Sequence, residues 1–211
     1  MHPSSMFNMQ AFIDNYLSEP TCLIKVADIG SQVVAGQSID NSYKSLFGGK
    51  SVHYYGCDVV AGNNVDIVFK NPYAWNEIKN NTFDVVISGQ ALEHVEYIWV
   101  TFLEITRILK EGGLCCIIVP SSGHQHSFPI DCWRFNEDGL TALAKWARLE
   151  VLNVYANRTP DSGSGYDPEW QDTVLICRKP KYKTLSRIKF YFANKVCRAM
   201  VKNLRPTASS N

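Results

Sequence analysis

Two short apolar runs in this chain each end in a carboxylate beside a glycine, and their spacing constrains the fold more than any other feature. Leu23 to Ile29 leads into Asp28-Ile29-Gly30-Ser31, and Val52 to Tyr55 leads into Gly56-Cys57-Asp58. The two ends lie about one β-α-β unit, roughly 30 residues, apart. In an open α/β sheet, the carboxyl ends of neighbouring parallel strands form the crevice where nucleotides bind. Asp28 and Asp58 are therefore expected side by side at one edge of a sheet.

The rest of the chain continues the pattern. Val65–Phe69, Phe83–Ser88, Leu114–Val119, Leu149–Tyr155 and Thr173–Cys177 are further short apolar runs, several rich in β-branched residues. Between them, helical spacing is expected over Ser5–Leu17, Asp40–Phe47, Tyr97–Lys110 and from an Asn136 cap through Ala147. Glu111-Gly112-Gly113 reads as the stop of the third of these helices. Strands alternating with helices predict an α/β fold: a Rossmann-like, parallel-dominated sheet of seven strands with helices on both faces. A chain of 211 residues suffices for one domain with a sizeable core. The domain is expected over 1–180, followed by a basic segment over 181–211. The loop Asn157–Gln171, rich in Gly, Ser, Pro and Asp, is expected to cover a site.

Seven cysteines without a C-x-x-C spacing read as small buried hydrophobes in a reducing compartment. Cys115 and Cys116 should face opposite sides of a strand. No apolar run approaches the ~20 residues that span a bilayer, and Met1 to Gln10 lacks a secretory pattern; a cytoplasmic protein is expected. The net charge of +1 hides an asymmetry. From Arg178 onward there are ten Lys and Arg and no Asp or Glu, which leaves eleven basic against twenty acidic residues before it, a net of −9. Over Lys181–Arg205, Leu185, Ile188, Phe192, Val196 and Ala199 recur at spacings of three and four, an amphipathic helix. Its basic face suits the protein's own acidic body, an anionic membrane surface met peripherally, or an acidic protein partner. Nucleic acid is not expected, because the body is acidic and a basic tail alone reads nothing.

The first turn limits the cofactor. A dinucleotide site wants G-x-G-x-x-G, so that backbone can approach a pyrophosphate. Asp28-Ile29-Gly30-Ser31-Gln32-Val33 has one glycine. Gly49-Lys50-Ser51 mimics the end of a Walker loop, but Lys44 stands where the earlier glycine belongs. A cofactor without phosphate fits better. Asp28 can attract an amino group and Asp58 can accept both hydroxyls of a ribose, which are the needs of S-adenosylmethionine. A turn or N-cap role is the ordinary alternative for Asp28 alone.

With these residues placed, the chain resembles class I S-adenosylmethionine-dependent methyltransferases. Asp28-Ile-Gly-Ser, Gly56-Cys-Asp58, Phe83-Asp-Val-Val-Ile-Ser-Gly-Gln-Ala-Leu-Glu93-His94-Val and Arg107-Ile-Leu-Lys-Glu-Gly-Gly113 stand in that family's order. The resemblance covers about residues 23–155. It implies a sheet whose last strand is antiparallel, S-adenosylmethionine as cofactor and S-adenosylhomocysteine as product. It places Asp28 and Gly30 by the methionine part, Asp58 on the ribose hydroxyls and Asn71 near the adenine amine, with Ser31, Val59 and Gln90 completing the cofactor site.

The loop Pro120–Phe135 is the most individual stretch. It carries His124, His126, Asp131, Trp133 and Arg134, and resembles the His-x-x-Pro-x-Asp-x-Trp-Arg-Phe signature of methyltransferases of bacterial glycan-assembly genes and some large viruses. His126 is the expected base or substrate ligand, oriented by Asp131. Arg134 either holds a substrate anion or pairs with an internal acid; Trp133 and Phe135 are expected to pin the loop. His94, His124 and Tyr166 are the remaining candidate substrate contacts, with Tyr166 and Trp170 suited to stacking on a ring. His124, His126 and Asp131 are metal-competent, but His-x-His spacing is not specific and no metal is expected. The reading is O-methylation of a sugar hydroxyl in a glycan or its precursor. Its rivals are a small-molecule or lipid methyltransferase, a catalytically silent module of the same fold acting through its tail, and an NAD-dependent oxidoreductase, which the single-glycine turn disfavours.

Overall fold

The computed structural model describes residues 2–17, 23–33, 36, 38–48, 51–160 and 165–204. Seven strands form one sheet: β1 (Ile24–Ile29), β2 (Val52–Asp58), β3 (Ile67–Val68), β4 (Phe83–Gly89), β5 (Leu109–Val119), β6 (Glu150–Ala156) and β7 (Thr173–Arg178). Their order is β3-β2-β1-β4-β5-β7-β6. β1 to β5 pair in parallel, and β7 runs antiparallel to both β5 and β6. The expected architecture, last strand included, is the observed one.

Among the described residues four α-helices flank the sheet: α1 (Pro3–Tyr16), α2 (Ile98–Ile108), α3 (Glu137–Trp146) and α4 (Thr184–Val201). The central strands are apolar on both faces, as a doubly covered sheet requires. Alternate residues of one strand enter different clusters. Ala27, Val86, Cys115, Ile117 and Leu175 pack with Phe102, Ile105, Leu140 and Phe190 of α2, α3 and α4. Val26, Val85, Cys116, Ile118 and Val174 pack with Met9, Phe12 and Ile13 of α1. Cys115 and Cys116 thus fall on opposite faces, and the described cysteines are free.

Three expectations change. The segment expected as a crossover helix over Asp40–Phe47 is two 3-10 turns, Ile39–Asn41 and Tyr43–Phe47. The helix expected to end at Lys110 ends at Ile108, and Leu109 already pairs with Phe83. Lys110–Gly113 bulge out before Leu114 resumes pairing at Val85, with Gly112 at φ 82° and Lys110 Nζ 2.7 Å from Asp84 Oδ1. The glycines therefore form a bulge rather than stopping a helix.

The third change concerns α4. It packs against α2, burying Phe190, Asn194 and Val201; Asn194 Nδ2 donates to Glu104 Oε1 at 3.2 Å. The stripe singled out by its helical spacing, Leu185, Ile188, Phe192 and Val196, points away from the body and is exposed. The helix docks through a different face, and residues beyond 204 lie outside the described ones. Among the described residues no helix is long and apolar enough to cross a membrane.

Candidate active site

The C-terminal edge of the parallel strands gathers the polar side chains in two groups. The first lies at β1 and β2, which register Asp28 against Gly56 and Ile29 against Cys57. Asp28 is 3% exposed and accepts a hydrogen bond from the Tyr54 hydroxyl. Burial, with a smaller push from Asp58, raises its pKa to about 7, against the opposing hydrogen bond from Tyr54. Gly30 has φ 78°, and a Cβ there would overlap that of Ala91. The turn is thus held to glycine by conformation and by space. Gly30 N and Ser31 N both donate to Cys57 O, at 2.9 and 3.3 Å. Ser31 and Asn64 exchange hydrogen bonds, Ser31 Oγ to Asn64 O at 2.9 Å and Asn64 Nδ2 to Ser31 O at 3.0 Å.

Asp58 receives three backbone amides: Gln32 N at 3.1 Å, Val59 N at 2.7 Å and Val60 N at 3.3 Å. A carboxylate has about four acceptor positions, so one remains for a ligand. Val59 follows directly and is exposed. Asn71 follows β3. Its Oδ1 accepts from Tyr73 N at 2.8 Å, and its Nδ2 reaches Lys202 O at 3.0 Å at the end of α4. Both ends of the amide are engaged within the protein, one of them at the end of α4.

The second group surrounds β4, β5 and the start of β7. Gln90 follows β4 in a left-handed conformation, φ 54°, and its Nε2 donates to Asp172 Oδ1 at 2.8 Å. Asp172 is buried, which raises its pKa, and also accepts from Ser4 Oγ at 3.0 Å, drawing the start of α1 to the site. Glu93 is 1% exposed, and burial raises its pKa to about 8. Its backbone oxygen accepts from Cys132 N and Trp133 N, at 2.8 and 3.2 Å, tying the turn after β4 to the 120–135 loop. His94 Nδ1 lies 2.6 Å from Ile130 O, and burial lowers the His94 pKa.

Within the loop, Asp131 is clamped by Arg134, whose two terminal nitrogens reach Oδ1 at 2.6 Å and Oδ2 at 2.8 Å. This pair holds the Asp131 carboxyl down at about 2. Arg134 also donates to His124 O at 2.6 Å and Trp133 O at 2.8 Å. Of its two expected roles, it fills the internal pair. Asp131 Oδ2 accepts from His126 N at 2.8 Å, while the His126 ring Nδ1 stands 3.5 Å away, beyond a good hydrogen bond. Asp131 thus positions His126 through its main chain.

Trp170 closes the group. Its ring meets His126 at 4.8 Å between centroids and His124 at 5.2 Å, and the Arg134 guanidinium lies 5.9 Å from its centroid. A Cβ at Gly123 would strike this ring. Trp170, rather than Tyr166, is the aromatic that meets the histidines, and Ser121 N and Ser122 N both donate to its carbonyl at 3.1 Å. His124 Nδ1 pairs with Glu169 Oε1 at 2.5 Å. Trp133 and Phe135 anchor the loop, through Trp133 Nε1 to Val95 O at 2.7 Å and Phe135 N to Pro120 O at 2.9 Å.

Sequence reasoning missed Tyr54, Asp172 and the role of Glu93. The search for acids at strand ends found Asp28 and Asp58. Asp172 precedes its strand, and an antiparallel β7 begins at the same edge where the parallel strands end.

A family profile described as a methyltransferase domain matches residues 53–117, from β2 into β5. No curated protein is significantly similar in sequence. Among solved structures, a 1,6-didemethyltoxoflavin N1-methyltransferase of Burkholderia thailandensis, with bound 1,6-didemethyltoxoflavin and S-adenosylhomocysteine, superposes with a TM-score of 0.61 at 17% identity over 85% of this chain and 80% of its own. The 4+2 cyclase SpnF gives 0.60 at 13% identity over 84% and 81%. A methyltransferase of Haloferax volcanii, solved with its activator Trm112, gives 0.59 at 15% over 86% and 91%. At these identities the likeness establishes the fold, which carries more than one chemistry.

Proposed function

We propose that this chain is an S-adenosylmethionine-dependent methyltransferase that methylates a hydroxyl of a sugar in a glycan or glycan precursor. The observation that carries the reading is the placement, at the same sheet edge, of the Asp28–Asp58 pair and of the side chains around His126. The matched methyltransferase domain supports the reaction class, and the neighbour crystallised with S-adenosylhomocysteine supports the cofactor.

The residues fit that cofactor. The Gly30 turn brings backbone close where a Cβ has no room. Asp28 offers a buried carboxylate for an amino group, and Asp58 keeps an acceptor position for a ribose hydroxyl. When bound, the cofactor supplies a methyl group already activated on sulfur. The protein's part is then mainly positioning. Trp170 and His124 supply the aromatic rings beside His126 against which an acceptor could rest. His126 is the group placed to take up the proton of the acceptor hydroxyl, a contribution of about 10²- to 10⁴-fold where general base catalysis applies. The choice of oxygen and of a sugar rests on the His124–Phe135 loop, which lies outside the matched domain.

Calorimetry with S-adenosylmethionine and with NAD, followed by a methyl-transfer screen on nucleotide sugars and short oligosaccharides, tests the proposal. Binding of the first ligand, no binding of the second, and transfer to a hydroxyl are expected. Cofactor binding without transfer to any acceptor would leave a silent module, and NAD binding alone would sink the whole reading.

A further inference from the structure

The turn after β4 and the 120–135 loop contain a grouping that methyl transfer alone does not require. One donor atom each from Glu93, His94 and His126 lies within 4.8 Å of the others. The two imidazoles meet edge to face at 4.9 Å between centroids. The carbonyl of Ile130 can only accept, so His94 Nδ1 carries the proton and Nε2 keeps its lone pair, 3.7 Å from Glu93 Oε1. Glu93 Oε2 is buried and, among the described residues, has no hydrogen-bond partner. A buried carboxylate oxygen left unmet is costly unless a positive group reaches it; the neighbouring cation, Arg134, directs both terminal nitrogens at Asp131, and its Nε makes no hydrogen bond to Glu93 either.

We propose that Glu93, His94 and His126 bind a divalent first-row transition metal ion with zinc-like donor preference. Two imidazoles and a carboxylate form a ligand set that holds such an ion and leaves coordination positions open. The outer contacts fit as well: Ile130 O sets the tautomer of His94, and Asp131 fixes the main chain of His126. The set differs from the one open to sequence reasoning. Asp131 is taken by Arg134 and His124 by Glu169, while Glu93 takes their place. Where the methyl-transfer reading holds, on which this consequence rests, the open positions suit the oxygen of a hydroxyl acceptor. His126 would then hold the ion in place of taking the proton itself, and the ion would polarise that hydroxyl.

The test uses the full chain, freed of metal by chelator and titrated with Co²⁺ while its visible absorption is followed, then with Zn²⁺ as competitor. One equivalent of Co²⁺, displaced by Zn²⁺, is expected. His94→Asn and His126→Asn should each weaken uptake at least tenfold, and His124→Asn should leave it within twofold. Absence of uptake, or uptake indifferent to His94 and His126, overturns the proposal. Glu93→Gln is informative if it folds; His126→Asn, at a half-exposed position, keeps the test open if it does not. Calorimetry with S-adenosylmethionine on the same metal-free protein separates the two readings, since cofactor binding without metal uptake defeats this proposal alone.

A separate observation concerns α4. Leu185, Ile188, Phe192, Val196 and Met200 are 65, 59, 68, 43 and 77% exposed and form one stripe along the helix, away from the buried Phe190, Asn194 and Val201. Lys189 and Lys195 are exposed beside the stripe. A contiguous apolar patch of this kind marks a contact surface. From Arg178 to Arg205 the chain carries ten basic residues and no acid. We infer that α4 lays this stripe into an anionic lipid surface, with its lysines at the headgroups. Pairing with a second copy through the same stripe would bring the basic flanks together, which charge opposes.

Cosedimentation of the full chain with phosphatidylglycerol–phosphatidylcholine vesicles, against phosphatidylcholine alone, tests this. Binding to the anionic vesicles should be at least tenfold stronger and should fall with salt. Leu185→Glu/Phe192→Glu, and separately Lys189→Glu/Lys195→Glu, should each reduce it at least tenfold without lowering the melting temperature. Equal binding to both vesicles, or none, overturns the inference. So does a dimer by light scattering that the first variant dissolves.

Discussion

The two halves of the crevice are built in different ways. At β1 and β2 the site is mostly backbone: Gly30 N and Ser31 N on Cys57 O, and three amides on Asp58, all within residues 28–66. At β4, β5 and β7 it is a net of side chains drawn from distant segments. Ser4, Gln90, Glu93, His94, His126, Asp131, Arg134, Trp170 and Asp172 meet there. A backbone-built half suits a ligand that stays the same, and a side-chain half on loops can change its acceptor without disturbing the sheet. If so, damage to one half should leave the function of the other standing.

The largest separation is expected for His126→Ala. Methyl transfer should fall by about 10²- to 10⁴-fold, with affinity for S-adenosylmethionine kept within a few fold by calorimetry. Equal losses in both would mean that the halves are one unit. The converse variant is Asp58→Ala. Hydrogen bonds to a charged group contribute about 1.5–3 kcal/mol each, so cofactor affinity should drop by roughly ten- to a hundredfold. Turnover at saturating cofactor should stay within a few fold; a matching loss there would break the division.

A third test reads the cofactor half through pH. Asp28 titrates near 7 in the folded protein, well above an unfolded aspartate. Between about pH 4 and 7 the folded state holds a proton that the unfolded state has released, so this contribution to stability is complete below about 4 and is lost as pH rises through 7. Asp28→Asn should flatten denaturant-measured stability across that window by about 4 kcal/mol, at 1.36 kcal/mol for each of roughly three pH units. Part of the slope should persist, because burial raises Glu93 and Asp172 in the same direction. An unchanged slope would mean that Asp28 is hydrated rather than buried.

What was legible in the sequence follows the same division. The strands and the Asp28–Gly30 turn are local: apolar runs, a terminal acid, a glycine. The partners of His126 were not, because they depend on which loops the sheet order brings together. Asp172 became a neighbour of Gln90 only through the reversed direction of β7. Glu93 stood inside a recognised motif, but its burial and its orphaned oxygen exist only once the 120–135 loop has closed over it. In α4, periodicity found the apolar stripe but not its surroundings, because helical spacing marks a face without saying what it faces.

The smallest expected effect bears on where the cofactor half ends. Asn71 follows β3, at the position where an adenine contact was expected, yet its amide reaches Val201 O, Lys202 O and Leu204 O at 3.4, 3.0 and 3.5 Å. The last carbonyls of a helix have no partner within it, so this side chain satisfies groups that α4 leaves open. Asn71→Ala should therefore lower stability by about 1 kcal/mol and speed amide exchange in the last turn of α4, with cofactor affinity within twofold. A tenfold loss of affinity with α4 unaltered would return Asn71 to the adenine and extend the backbone-built half as far as β3.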